Sequence, residues 1–206
     1  MDNINKDHWY DGWFYDLLIA PNQDKLFGQI RNLIEPDSTI IDVGCGTGRF
    51  SFSIADKCKS VLGIDLSKRN IDRANFNLTK THNDKILFQH KSVGAIISER
   101  QHFDYAVITY VIHEVDMDER VKLINEIAEV ADKIVVGDYL VPKPKGFWRL
   151  LNEIVEFVAG VDHYNNYSSY IENGGIYNLA SEAGLKIINE IKNQPSTSHL
   201  VVLTHN

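Results

Sequence analysis

The residues that most constrain the fold of this chain run from Thr39 to Phe50. Their first half is apolar and β-branched around Asp42, as in a central parallel strand that is buried on both faces. The second half contains glycines, which allow a sharp turn and let a ligand approach the backbone closely. A helix that begins directly after such a turn directs unpaired N–H groups and its positive end toward it. The stretch therefore predicts a strand, a turn and a helix that bind the polar end of a nucleotide-like ligand. The turn residues are Gly44, Cys45, Gly46 and Gly48.

The spacing of these glycines narrows the class of ligand. The dinucleotide fingerprint Gly-x-Gly-x-x-Gly, counted from Gly44, requires a glycine where this chain has Arg49. Here the third glycine comes earlier, at Gly48. The absence of a following Gly-Lys-Ser/Thr excludes a phosphate-binding P-loop. The observed pattern, acidic-x-Gly-x-Gly-x-Gly, resembles motif I of the class I S-adenosylmethionine-dependent methyltransferases.

A second predicted strand, over residues 60–67, carries an acid near its end. Asp65 lies 21 residues after Gly44, an offset that suits a carboxylate accepting both ribose hydroxyls of a nucleoside ligand. In the resembling family an acid at this place has that role. We therefore expect the turn residues, Asp65 and Leu66 to bind the cofactor. Asp42 would anchor the turn or reach the amino-acid end of the cofactor through water.

The resemblance also implies the architecture. It predicts a Rossmann-like α/β fold whose seven-stranded, mostly parallel sheet ends in an antiparallel hairpin and carries helices on both faces. Residues 185–191 and 199–204 are the predicted hairpin strands, joined by a short loop. The whole of 1–206 would be a single methyltransferase domain. Within it, 1–35 would form an N-terminal helical cap and 141–175 a substrate-facing insertion.

The N-terminal segment is rich in aromatic residues, and two of its tyrosines are candidate cofactor ligands. N-terminal helices often cover the cofactor in the resembling family, and a sulfonium beside an aromatic ring gains cation–π energy. On this basis we assign Tyr10 and Tyr15 to the cofactor site. The alternative is that the aromatic residues of this segment only pack its helices onto the sheet.

The end of the predicted third strand departs from the family pattern. The family usually places an acid here to accept from the adenine amino group, whereas this chain continues from Phe88 as Gln-His-Lys-Ser. We expect His90 and Ser92 to hydrogen-bond adenine instead. An exposed polar loop is the alternative.

The fourth predicted strand, residues 103–109, runs directly into Tyr110 and then His113. Ligands of doubly wound sheets lie beyond the carboxyl ends of the strands, so we expect Tyr110 at the cofactor and His113 near the transferred methyl group. His113 can take a proton near neutral pH. It is thus a candidate general base, a candidate substrate-orienting group, or a structural histidine, with Glu114 as a possible orienting neighbour.

The insertion carries the second candidate base, His163, and three tyrosines spaced every third residue. That spacing places the tyrosines on one side of a helix, where they would line a pocket for a small acceptor or pack onto the domain. The tyrosines are Tyr164, Tyr167 and Tyr170.

Composition limits the partners. The formal net charge of −7 argues against a broad nucleic-acid footprint, and neither base-methylating signature, Asn/Asp-Pro-Pro-aromatic or Pro-Cys, is present. The two cysteines have no metal-ligand spacing, so we expect no metal. We find no membrane-length apolar run and no export signal, and therefore expect a cytoplasmic protein without a membrane partner. The sequence leaves the oligomeric state open.

These observations predict an enzyme that uses S-adenosyl-L-methionine to methylate a small-molecule acceptor by direct displacement. Two alternatives are a non-catalytic protein that binds S-adenosylmethionine or S-adenosylhomocysteine, and an NAD(P)-dependent oxidoreductase. The missing acid after the third strand keeps the first alternative open. The glycine spacing and the predicted terminal hairpin argue against the second.

Overall fold

Buried β-branched residues build the strands of the computed structural model, which describes residues 20–142, 160–193 and 197–206. The helices within these ranges are α1 Ala20–Leu33, α2 Arg49–Ile54, α3 Lys68–Thr81, α4 Val93–Ser98, α5 Arg120–Val130, α6 Val161–Glu172 and α7 Gly175–Glu182. A 3₁₀ turn, Met117–Glu119, precedes α5. The strands are β1 Thr39–Val43, β2 Ser60–Asp65, β3 Ile86–His90, β4 Phe103–Thr109, β5 Ala131–Tyr139, β6 Leu185–Lys192 and β7 Ser198–His205.

The strands form one sheet in the order β3-β2-β1-β4-β5-β7-β6. β1 pairs in parallel with β2, and β2 with β3, whereas β7 is antiparallel to both β5 and β6. The predicted fold class, a mostly parallel sheet with a terminal antiparallel hairpin, is therefore confirmed.

The chain divides into two compact units, Met1–Val107 and Ile108–Asn206. In the first, the apolar residues of β1 and β2 are buried between helices, as expected for strands covered on both faces. Ser67 caps α3 by accepting from the Asn70 amide, and the helix turns Ile71 and Ala74 inward. At the start of β1, both the amide and the hydroxyl of Thr39 donate to Asp104 at 2.6 and 2.7 Å, which fixes the beginning of β4.

The core of the second unit is formed by β5, β7 and α5. The residues of β7 from Ser198 to Leu203 are buried, and α5 contributes Ile124, Ile127 and Val130. An irregularity between Ile187 and Asn189 interrupts the register of β6. The loop after β4 leads into α5, and β5 follows α5 directly. Both α5 and β5 are largely buried.

The structure shifts several predicted boundaries. β3 extends to His90 rather than ending at Phe88, because residues 89 and 90 still pair with the end of β2. α5 begins at Arg120, because residues 117–119 before it form a tighter 3₁₀ turn. The tyrosine-rich segment is helical, as its spacing predicted. The aromatic N-terminal segment and residues 143–159 of the predicted insertion lie outside the described residues.

Candidate functional site

The glycine turn adopts the backbone conformation that its composition predicts. Gly44, Gly46 and Gly48 have φ values of 71°, 53° and 87°, in the left-handed region that favours glycine. The amides of Gly44 and Cys45 both donate to the carbonyl of Ile64 at 2.9 and 3.0 Å, which fastens the turn to the end of β2. The turn therefore lies next to the predicted ribose acid.

Asp65 is itself part of the turn. Its Oδ2 accepts from the Gly46 amide at 2.8 Å and its Oδ1 accepts from the Ser67 amide at 2.7 Å. These two bonds orient both oxygens of the carboxylate. Leu66 follows with 59% of its side chain exposed, an apolar surface beside the carboxylate.

Asp42 lies beneath the turn rather than at its surface. It is 1% exposed and accepts from the Ser51 hydroxyl at 2.6 Å, which joins β1 to α2. Burial raises the pKa of Asp42 to about 7, against the hydrogen bond from Ser51, which lowers it. Asp42 is therefore bonded to the helix that follows the turn, and its role toward a cofactor stays a prediction. Burial likewise raises the pKa of the Cys45 thiol, which makes a reactive thiolate unfavourable.

The end of β3 brings His90 beside β2. Asp65 and His90 are register partners, and His90 Nε2 lies 2.9 Å from the carbonyl oxygen of Leu66. Because a carbonyl only accepts, Nε2 carries the proton, and Nδ1 of the neutral ring is then an acceptor. Ser92 caps α4 by accepting from the Ala95 amide at 3.3 Å. Of the predicted cofactor residues in the first unit, only Tyr10 and Tyr15 lie outside the described residues.

In the second unit, Tyr110 takes a backbone conformation that is rare for a residue with a side chain. Its φ is 54°, and its amide donates to the carbonyl of Gly137 at 2.8 Å. Such strained residues persist where surrounding contacts hold them, and they cluster at functional sites. Desolvation raises the pKa of the Tyr110 phenol, which therefore stays protonated.

His113 is paired with a carboxylate inside the protein. Its Nδ1 lies 2.7 Å from Asp138 Oδ1, and the two side chains are 3% and 1% exposed. Asp138 also accepts from the Tyr139 amide at 2.7 Å, so it acts as an acceptor toward the ring as well. Nδ1 therefore carries a proton, and Nε2 is the nitrogen that can accept one.

Aromatic rings surround this pair. The Tyr139 ring lies edge-on to His113 at 4.8 Å between centroids, and the rings of Tyr167 and Tyr170 from α6 lie 6.4 Å from it. Tyr167 and Tyr170 are fully buried. The side of α6 that the sequence predicted as either a pocket wall or a packing surface therefore packs around the candidate base.

The second candidate base is placed differently. His163, also on α6, is buried, and its Nδ1 lies 3.9 Å from a Glu114 carboxylate oxygen. That separation is too long for a hydrogen bond. His163 therefore lies within ion-pair distance of Glu114, whereas the His113 ring makes a short hydrogen bond to Asp138. The expected orienting partner of His113, Glu114, instead lies near His163.

Sequence reasoning missed three residues that build these sites. Ser51 binds Asp42, Asp138 holds His113, and Arg120 reaches the loop that carries His113. Asp138 had a detectable signal, since it is an acid at the end of an apolar strand. Ser51 and Arg120 had none, because a helical serine or arginine is ordinarily exposed.

Comparisons with known proteins agree with this architecture. A family model described as "Methyltransferase domain" matches residues 40–133, which include the glycine turn, Asp65 and the His113 loop. The ubiquinone biosynthesis O-methyltransferase of Nitrosospira multiformis is 28% identical over 162 residues, which cover 72% of this chain and 62% of that protein. Residues 40–133 of the chain are thus similar to the methyltransferase domain family.

Solved structures show the same fold around this methyltransferase domain. Mitomycin 7-O-methyltransferase MmcR aligns with a TM-score of 0.69 at 15% identity, covering 94% of this chain and 60% of that one. Magnesium protoporphyrin IX methyltransferase from Synechocystis PCC 6803, solved with bound S-adenosylhomocysteine, aligns with a TM-score of 0.66 at 17% identity, covering 98% and 91%. At such identities the likeness concerns the fold. The methyltransferase spans less than two thirds of the length of the Nitrosospira relative.

None of the helices within residues 20–142, 160–193 and 197–206 of the methyltransferase combines the length and apolar character that crossing a membrane requires. Within those ranges there is also no group of three or more His, Cys, Asp or Glu side chains placed to hold a metal ion.

Proposed function

We propose that this chain transfers a methyl group from S-adenosyl-L-methionine to a small-molecule acceptor. The observation that carries the proposal concerns Asp65, at the end of β2, whose carboxylate accepts a hydrogen bond from the Gly46 amide. Both residues lie within the region that matches the methyltransferase family model. The match to that family model supports the choice of cofactor, and the compared structure from Synechocystis contains S-adenosylhomocysteine.

The residues present fit this cofactor. The glycine turn, in which Gly44 and Gly46 are partly exposed, suits its polar amino-acid part, and Asp65 suits the two ribose hydroxyls. Leu66 offers an apolar surface, and His90 Nδ1 is an acceptor that suits the adenine amino group. When bound, the cofactor supplies an electrophilic methyl group on a sulfonium. Tyr10 and Tyr15 remain predictions as lid residues.

For the acceptor we propose a hydroxyl group deprotonated by His113. Asp138 holds Nδ1–H and stabilises the imidazolium that forms when Nε2 takes the proton. Two of the compared proteins are named O-methyltransferases, one for ubiquinone biosynthesis and one for mitomycin. The net charge of −7 also supports a small molecule over nucleic acid. His163 is the alternative base.

Measurements of cofactor binding and of methyl transfer separate this proposal from its alternatives. Calorimetry should detect binding of S-adenosylmethionine and S-adenosylhomocysteine and no binding of NAD. Radiolabelled S-adenosylmethionine should then label a small molecule in an extract, and identification of that product names the acceptor. Binding without any transfer would favour the non-catalytic alternative, and binding of NAD alone would favour the oxidoreductase.

A matched pair of histidine variants tests the base. His113→Ala should lower turnover by about 10²-fold or more, as loss of a general base does, with cofactor affinity unchanged. His199 provides the control, because it is also fully buried and lies 2.9 Å from a carboxylate, that of Glu190. His199→Ala should destabilise the fold with turnover retained. Equal turnover in the two variants would make His113 a structural histidine.

A further inference from the structure

Arg120 is a buried arginine that donates to three backbone carbonyls among the described residues. It is 2% exposed at the start of α5. Its Nε donates to the carbonyl of Val115 at 2.8 Å, and its Nη2 donates to the carbonyl of Asn166 at 2.7 Å and, more weakly, to that of His113 at 3.4 Å. One guanidinium therefore joins the loop that carries His113 to helix α6.

Asn166 completes the connection from the other side. Its Nδ2 donates to the carbonyl of Glu114 at 2.9 Å and to Asp116 Oδ1 at 3.0 Å. The carbonyls of three consecutive loop residues, 113 to 115, are thus bound by the side chains of Arg120 and Asn166. The loop itself belongs to no helix or strand, so these side chains supply contacts that regular secondary structure would otherwise provide.

The same helix supplies rings that pack on His113. Tyr167 directly follows Asn166, and Tyr170 lies one turn further on, where the Arg120 guanidinium is 5.6 Å from its ring centroid. The connection between Arg120 and α6 therefore sets the position of both the histidine backbone and two rings around the imidazole.

Burying a guanidinium costs desolvation free energy. An apolar side chain would fill this position if only burial were required. Desolvation lowers the pKa of Arg120, while the carboxylates of Asp138 and Asp116 oppose that effect through space. Arginine can donate in several fixed directions from one planar group, which a lysine cannot do. Arg120 uses these fixed directions, because its acceptors, the carbonyls of Val115 and Asn166, lie on residues far apart in sequence.

We propose that Arg120 is a positioning residue that holds the His113 loop against the tyrosine-bearing helix α6. The inference rests on the proposed role of His113 as the base. Arg120 acts through the orientation of the imidazole and through the aromatic rings around it, and it need not contact the acceptor.

The test combines kinetics with the nitrogen spectrum of His113 in the full chain. The variants are Arg120→Met, Arg120→Lys and Asn166→Ala. Ile124→Ala is the matched control, because Ile124 is fully buried on the same helix and its truncation should destabilise the fold. Histidine-selective ¹⁵N labelling reports the imidazole tautomer, and His113→Asn assigns the signal among the eight histidines.

In the wild-type protein the spectrum should show a single tautomer with the proton on Nδ1. Arg120→Met should mix the tautomers, and turnover should fall by about 10²-fold, the effect of a misplacement of about 1 Å. Asn166→Ala should produce the same change with a smaller loss, and Arg120→Lys should recover part of it. Cofactor affinity should stay within about twofold, because none of these residues belongs to the proposed cofactor site.

Two results would overturn the inference. One is a His113 spectrum in Arg120→Met and Asn166→Ala that is identical to that of Ile124→Ala. The other is a loss of turnover that only follows the loss of stability across all the variants. If the wild-type protein transfers no methyl group, the proposed function fails, but the spectra still decide whether Arg120 orients His113. If Arg120→Met does not fold, the lysine and alanine variants give the answer.

Discussion

Replacement of Gly48 by alanine should damage the fold more than the same change at Gly46, although both glycines belong to the same turn. Both have positive φ, 87° and 53°. A Cβ at Gly48 would lie 2.4 Å from Phe88 Cζ and 2.9 Å from Phe88 Cε1, whereas a Cβ at Gly46 would meet no atom within 4 Å. The pair therefore separates the cost of the backbone conformation from the cost of the collision.

The magnitudes follow from these two terms. A left-handed conformation costs a residue with a Cβ about 1–2 kcal/mol, and this should be the whole loss at Gly46→Ala. Overpacking of a buried ring adds about 1–3 kcal/mol, so Gly48→Ala should lose about 2–5 kcal/mol of unfolding free energy. The Phe88 ring is 4% exposed and also lies against Gly63, where a Cβ would come within 2.5 Å of it. It therefore has little room to move away.

Urea unfolding followed by circular dichroism gives the free energy of unfolding for each variant. A double variant, Gly48→Ala with Phe88→Leu, provides the internal control, because leucine lacks the outer ring atoms that the new methyl group meets. The cost of Gly48→Ala in that background should fall to the value at Gly46, a coupling of about 1–3 kcal/mol. Equal losses at the two glycines, or a double variant without coupling, would refute the steric reasoning.

Three further predictions concern the acids of the two sites. Asp65→Asn should weaken S-adenosylmethionine binding by about 2 kcal/mol, or about 30-fold in Kd, because it places an amide donor against the Gly46 amide; unchanged affinity by calorimetry would remove Asp65 from the site. Asp42 has a pKa raised from 3.8 to about 7, so its neutral form favours the folded state. The stability it contributes is present below about pH 4 and is lost as the pH rises toward 7, a loss of about 4 kcal/mol. Urea unfolding of Asp42→Asn should accordingly show a smaller loss of stability between pH 5 and pH 8 than the wild type, and parallel pH dependences would contradict the assignment. Asp138→Asn should lower turnover by about 10²-fold or more with cofactor affinity unchanged, since an amide can hold the wrong tautomer of His113; steady-state kinetics with the identified acceptor would check it.

Much of the first unit could be predicted because its signals are local. An apolar β-branched run, a set of glycines and an acid at a fixed offset each act within a few residues of their own position. The strand, the turn and the acid at the end of β2 follow from that pattern. The spacing of the tyrosines in residues 161–172 likewise indicates a helix there. The glycine spacing also carried the family resemblance, which in turn implied a seven-stranded, mostly parallel sheet with a terminal antiparallel hairpin.

Ends of elements and partners of side chains required the tertiary structure. The limits of β3 and α5 depend on strand pairing and on a tight turn that propensity does not encode. Gly48 matched the family motif in the sequence, but only the packing shows that the Phe88 ring occupies the space where a side chain would stand.

A strand, a turn and a helix with an acid nearby, a pattern that resembles the methyltransferase family, could be predicted from the residues alone, because backbone conformation and hydrophobic periodicity are local properties. That Asp138 bonds to the His113 ring, and that Arg120 reaches Asn166, is visible only in the folded chain. These partners lie 25 and 46 residues apart. Sheet register and helix packing bring them together, and no short-range pattern records which distant carboxylate or carbonyl a buried donor will meet.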